Sequence, residues 1–274
     1  MTLELRAALA VARKELQIVR RYPLQLVNEV AQPLYQFLLP SLLLGATFYV
    51  GGRAIGLQAS AGTEDLAGYL FLGMVVGGLV AAVFWDMAFG IKREMDAGTL
   101  EPMWLTPTRP ETTVLGRALS GLALSLLASA ILVAVGIVFF GAAVAGALLA
   151  AVPALLLASI SMVGIGYGIA SLVMVMRDPN FMIDATNFTF ASLSGVAFPI
   201  TVLPAFIQPI CYLLPTTYAV DLLRYYALGT RPLLAPGLEW AALVVFAGLS
   251  VVLGLRVFLR TEHRMRVQGT TGQH

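Results

Sequence analysis

Charged residues cluster at a few points along the chain, and the apolar stretches between them are long enough to cross a lipid bilayer. A hydrocarbon core about 30 Å thick takes about 20 residues of helix. Residues 30–50 form the first such stretch, and a second runs from Leu66 to Ile91 and stops at Lys92 and Arg93. The 59 residues between Arg117 and Arg177 carry no charge, which leaves room for two spans with a turn near Gly141 to Gly146. A fifth is expected from Asp178 and Pro179, a helix cap followed by a first-turn proline, to about Ile200, and a sixth from about Leu238 to Leu259.

Residues 201–237 are also apolar, but Pro204, Pro209, Pro215, Pro232 and Pro236 interrupt them. A proline inside a helix costs about 3 kcal/mol, so the segment reads as short re-entrant helices shielded by protein. The competing reading makes residues 203–222 a seventh span, and charge decides between the two. With six spans, fourteen Lys and Arg residues lie on the side of both termini, against Arg53, Arg224 and Arg231 on the other. That asymmetry places both termini in the cytoplasm, whereas a seventh span would export the basic tail at residues 260–274. Residues 1–29 are too polar and too long for a secretory signal. They read as an amphipathic helix with Leu5, Leu9, Ala12, Leu16 and Val19 on one face and Arg6, Arg13 and Arg20 at its edge, within reach of lipid headgroups.

Composition agrees with a membrane protein. Hydrophobic residues make up 59% of the 274 and charged ones 12%, where a soluble domain carries about 25% charged. The expected fold is therefore an all-α membrane protein with six transmembrane helices. A net charge of +2 offers no broad basic surface, so no nucleic-acid partner is expected, and the single cysteine, Cys211, excludes an intrachain disulfide. Lys14 follows Arg13 and Lys92 follows Ile91, so neither lysine completes the Gly-Lys pair of a phosphate-binding loop. His263 and His274 both lie in the polar tail, and neither a metal site nor a catalytic residue is expected.

Lys92 to Pro110 is the only substantial polar segment between spans on the cytoplasmic side. Gly98 can end the preceding helix in a left-handed turn, and Thr99 can cap a new short helix with Glu101 in its first turn. Leu100, Met103 and Trp104 then share an apolar face, which either docks on a partner or lies on the membrane surface. This stretch resembles the membrane subunits of type-2 ABC exporters, in which a basic-acidic pair, Gly-Thr-Leu-Glu and a proline follow the second span. Here Arg93-Glu94, Gly98-Thr99-Leu100-Glu101 and Pro107 match. A second set of matches is Ser194-Gly195-Val196-Ala197-Phe198-Pro199, Leu203-Pro204, Leu214-Pro215 and Asp221 with Arg224.

The resemblance implies a coupling helix at about residues 94–106, where Glu94, Gly98, Thr99, Leu100, Glu101, Met103 and Trp104 meet a separate ATPase subunit. It also implies a connecting helix at residues 1–29, a six-span domain at 30–259, and an outer re-entrant region at about 199–231 containing Pro199, Pro204, Pro215, Asp221 and Arg224. Two ATPase copies holding ATP and Mg, a second copy of this chain and membrane lipids are the implied partners, in the cytoplasmic membrane of a prokaryote. The fifth and second spans would line the cargo route. On the fifth, Asp184, Asn187, Ala191, Ser194 and Phe198 follow steps of three and four and form one stripe. Either this stripe lines the route, with Asp184 nearer the cytoplasmic entrance, or its polar groups bond to helices of the same subunit. Asp86 in the second span either contacts cargo or pairs with Arg93, Arg117 or Arg177. Asp221 and Arg224 are expected to pair with each other and anchor the second outer helix.

Overall fold

The computed structural model describes residues 2–35, 39, 43, 55–99, 102, 109–140, 143–176 and 179–268, and every regular element among them is helical. Helix α1 (Thr2–Arg21) has Glu4 in its first turn and Arg20 and Arg21 in its last, charges that complement the helix dipole. Pro23 starts a separate helix, α2 (Leu24–Pro33), so residues 1–29 hold two helices where one was expected. Of the first span expected at residues 30–50, residues 36–50 lie outside the described residues apart from Leu39 and Leu43.

A short helix, α3 (Ile55–Ala61), precedes α4 (Leu66–Phe84), which runs through a π-helical turn (Trp85–Phe89) into α5 (Gly90–Asp96). The two long central helices are α6 (Pro110–Phe140) and α7 (Ala143–Val175). Since α7 is already helical at Ala143, Gly146 lies inside it and not in the expected turn, as a glycine there costs only about 1 kcal/mol. Gly141, Ala142, Arg177 and Asp178 lie outside the described residues.

Helix α8 (Asn180–Leu193) spans about 21 Å at 1.5 Å per residue and stops seven residues short of the expected end at Ile200. Its limit is local: Gly195 takes a left-handed φ of +77°, and Pro199 follows in an extended conformation. A 3-10 turn (Ile200–Val202), α9 (Gln208–Cys211) and α10 (Pro215–Leu228) then divide the proline-rich segment at its prolines. Pro215 occupies the first turn of α10, and Gly229, with φ +66°, caps its other end. The last helix, α11 (Pro236–Gln268), continues past the expected end at Leu259.

Among the described residues, three helical stretches are long and apolar enough to cross a membrane, Glu111–Leu132, Val152–Val175 and Pro236–Val267, and Leu66–Leu79 is a shorter apolar one. The core lies between α4, α7, α10 and α11, where Met74, Val75, Met162, Met174, Leu222 and Leu243 are fully enclosed. Helix α1 packs on α6 with Ala8 and Ala12 buried, while Leu9 and Leu16, on the apolar face expected along the membrane surface, are exposed. Small residues win that position because the backbones approach closely: a methyl group on Gly116 would stand 2.7 Å from the Ala8 carbonyl oxygen. The side chains of Leu5 and Val19 lie outside the description.

The closest helix pair is α7 with α11. A side chain on Gly254 would run into the Gly164 carbonyl, and one on Gly164 into the backbone of Ser250 and Val251. Gly254→Leu is expected to destabilise the protein by about 3 kcal/mol or more, the upper end for overpacking, because backbone rather than side chain must move. Thermal unfolding in detergent should show this loss, with Gly248→Ala, whose added methyl meets nothing within 4 Å, unfolding like the parent.

Candidate functional site

Helix α5 ends as its sequence requires. The Gly98 N–H donates to the Met95 carbonyl (3.0 Å) and the Thr99 N–H to the Glu94 carbonyl (2.9 Å), with Gly98 at φ +64°. This pair of bonds around a left-handed glycine is the Schellman arrangement, and it turns the chain off the helix axis. The Thr99 hydroxyl turns back to donate to the Glu94 carboxylate, and Leu100 and Glu101 of the helix it is expected to cap lie outside the described residues.

The Glu94 carboxylate also accepts from the Arg117 guanidinium on α6 and lies 3.7 Å from Lys14 Nζ on α1. Gly90 leaves the space Arg117 occupies, since a methyl there would stand 2.8 Å from Nη1. Burial pushes the Glu94 carboxyl up, but the Thr99 hydrogen bond and the Arg117 and Lys14 charges outweigh it and hold the group below the usual carboxylate range. Nearby, the Thr112 hydroxyl of α6 donates to Glu4 of α1. One carboxylate thus gathers α1, α5 and α6 beside the point where the chain leaves α5. Leu100, Glu101, Met103 and Trp104, expected beyond that point, lie outside the described residues, as does the side chain of Asp86 on the π-helical turn.

The expected stripe on α8 divides. Asp184 and Phe198 are exposed, in company with Phe181 and Phe188. Asn187, Ala191 and Ser194 face the interior of their own subunit, and Asn187 is 5% exposed. Ser194 shares a hydrogen bond with Thr216 of α10, whereas Asn187 Oδ1 has no partner among the described residues. In this conformation Ser194 bonds within its own subunit, and Asn187 and Ala191 are buried there.

At the opposite end of the bundle, Arg224 does not form the expected ion pair with Asp221. Its Nε donates to the Tyr69 carbonyl (3.1 Å), Nη1 to Gly195 (2.7 Å) and Nη2 to Val196 (2.7 Å), and its guanidinium lies 3.4 Å from the centre of the Tyr69 ring. Carbonyls freed by the turn after α8 win because a planar fork satisfies several acceptors at once. Asp221 accepts from the Leu233 N–H (2.7 Å) instead. Of the prolines, Pro199 precedes the 3-10 turn, the Pro204 carbonyl accepts from Ile207 (2.8 Å), and Pro215 is buried at the start of α10. A cavity of about 150 Å³ opens here, lined by Ser60, Tyr69, Thr217, Asp221, Thr230 and Arg231 among others.

Lys14, Tyr69 and Glu239, at these two ends of the bundle, were not singled out from sequence, and Arg117 was named only as a possible partner of Asp86. Arg117 had a signal, as the last charge before the long uncharged run, and so did Glu239, a lone acid in the first turn of the last apolar stretch. Because Glu94 is held below its ordinary range, its contribution is complete above its unfolded value of about 4.3 and is lost as pH falls through the lower folded value. Thermal unfolding followed down from about pH 6 to pH 3 should show that loss in the parent. Arg117→Ala should lose about 3 kcal/mol already at neutral pH, because it leaves a largely buried carboxylate short of its main partner.

No curated protein matches the chain. A family model described as ABC-2 type transporter matches residues 6–228, which takes in α1, the Glu94 cluster, α8 and the Arg224 clamp. The chain therefore belongs to the ABC-2 type transporter family and is a membrane subunit of such a transporter.

Proposed function

We propose that this chain is the six-span permease of an ATP-driven exporter, working as a pair with a second copy and powered by two copies of a separate ATPase subunit that hold ATP and Mg. The observation that carries this reading is the Glu94 cluster, in a chain of this family. A loop leaving α5 at Gly98 would receive the ATPase movement, and Glu94 would pass it at once to α1 and α6 through Lys14 and Arg117. Charge supports the orientation, with fourteen of seventeen basic residues on the side of both termini, which places the Glu94 cluster in the cytoplasm and the Arg224 clamp at the outer face of a prokaryotic inner membrane.

The cargo that suits the exposed face of α8 is hydrophobic or amphipathic, such as a drug, an antibiotic or a lipid-linked molecule. Phe181 and Phe188 are 77% and 74% exposed there, beside the carboxylate of Asp184, a surface that offers apolar contact and one charge. Asn187, Ala191 and Ser194 join the route only when α8 turns relative to α4 and α10.

Two measurements test this reading. An ATPase subunit should co-purify with the chain, and cargo-stimulated ATP hydrolysis should be lost in Gly98→Pro, which cannot adopt the left-handed turn, and in Glu101→Arg; full stimulation in both variants would remove the coupling role. In a thiol-labelling scan, Phe188→Cys should react at rest, and Asn187→Cys and Ser194→Cys only during turnover. If these last two stay unlabelled throughout, the route does not pass them.

A further inference from the structure

Two carboxyl groups sit against each other beside the cavity at the Arg224 end, and the permease reading gives neither a role. Asp221 on α10 and Glu239 in the first turn of α11 each accept from one of two successive backbone N–H groups, which brings their carboxylates side by side. Glu239 is fully enclosed, and its Oε2 has no donor among the described residues. The other donors here are successive backbone groups of one loop: the Leu233 N–H donates to Asp221 Oδ2 (2.7 Å) and the Leu234 N–H to Glu239 Oε1 (2.8 Å). Residues 229–235 are thus strapped across the two helices by the pair. The same loop closes one side of the cavity through Thr230, Arg231, Pro232 and Leu233, and the Arg231 N–H donates to the Ala61 carbonyl (3.0 Å).

No ion pair holds either carboxylate among the described residues. Arg224 and Tyr218 on α10, Tyr69 on α4 and Arg231 at the cavity are the charged and titratable groups that face it. Arg224 spends its donors on carbonyls. An enclosed carboxylate and a half-buried one side by side cannot both ionise without strong repulsion. A proton between them removes the repulsion and supplies the missing donor. A metal ion fits less well, because an N–H already points at one oxygen of each carboxylate, and no group of three acidic, His or Cys side chains is present among the described residues.

We propose that Asp221 and Glu239 form a proton-binding site that latches residues 229–235 over the cavity: Glu239 donates its O–H to Asp221, and release of that proton to solvent through the cavity leaves two facing charges that free the loop. Thr230 sits in the strap with its Oγ1 buried and unpartnered among the described residues, lining the same cavity, so its surroundings report directly on whether the strap is closed. The pairing itself is independent of the permease reading; only the statement that it faces outward rests on the orientation proposed there.

The test uses the full chain. A proton retained on folding is bound more tightly by the native state, so stability falls as pH rises, and the unfolding midpoint should drop by roughly 3 °C or more between about pH 5 and pH 9. Glu239→Gln keeps an acceptor for Leu234 and supplies a permanent amide donor for Asp221, so it should flatten that slope, and Asp221→Asn should do the same from the other side. A local readout is Thr230→Cys in a Cys211→Ser background, labelled with a membrane-impermeant maleimide and normalised to an exposed cysteine. Its rate should rise with pH in the parent and stay level with Glu239→Gln. An unchanged slope in both amide variants, or a labelling rate indifferent to pH in the parent, overturns the shared proton. Labelling only from the cytoplasmic side, with the pH dependence intact, overturns the orientation and leaves the proton site standing.

Discussion

Arg224 carries a full charge into the interior with 2% of its surface exposed, and four groups from two parts of the chain hold it there. A buried charge costs several kcal/mol to desolvate. Each charge-assisted hydrogen bond returns about 1.5–3 kcal/mol, and the Tyr69 ring adds up to about 2 kcal/mol when desolvated, so no single partner suffices. The partners exist only if several elements are already placed. The turn at Gly195 must leave its carbonyls free, and position 73 must lack a side chain, because a methyl on Gly73 would run into both the Val196 carbonyl and Arg224 itself. The clamp therefore makes the arrangement of α4, the end of α8 and α10 a single condition.

At the other end the same problem has a different solution. Glu94 meets opposite charges from two helices and a neighbouring hydroxyl, each on a side chain that can swing. Arg224 meets backbone carbonyls, which cannot move without moving the helices that carry them. The contrast suits a bundle in which one end is fixed by main-chain geometry and the other can rearrange its partners at modest cost. Between them, the contact of Gly164 with Gly254 fixes α7 to α11 without any polar group.

Much of this was legible in the sequence because it depends on local chemistry. Gly98 marks a left-handed helix end, the prolines divide residues 201–237, and long uncharged runs mark α6, α7 and α11. What was not legible depends on partners distant in the chain. The spacing of Asp221 and Arg224 suggested a pair, but carbonyls 28 and 29 positions away compete better for the guanidinium. The spacing of α1 marked Leu5, Leu9, Ala12, Leu16 and Val19 but not Ala8, whose carbonyl oxygen a methyl on Gly116 would meet. The stripe expected on α8 divides between exposed and buried positions, because periodicity alone does not say which of its residues meet a neighbour and which meet a passage.

The π-helical turn at Trp85–Phe89 lies between the part of the second long helix that packs in the core and the part that carries Glu94. Each residue of an α-helix advances the direction of a side chain by about 100°, and a π turn accommodates one residue more than an α turn. Everything beyond it is therefore clocked by about 100° relative to an uninterrupted helix, which sets the bearing of Glu94 toward Arg117 separately from the bearing of Met74 and Val75 toward the core. A chain with one residue fewer at this point would keep its core and its hydrophobicity and lose its alignment at the inner end. The helix behaves as two gears keyed to one shaft, and the key is five residues long.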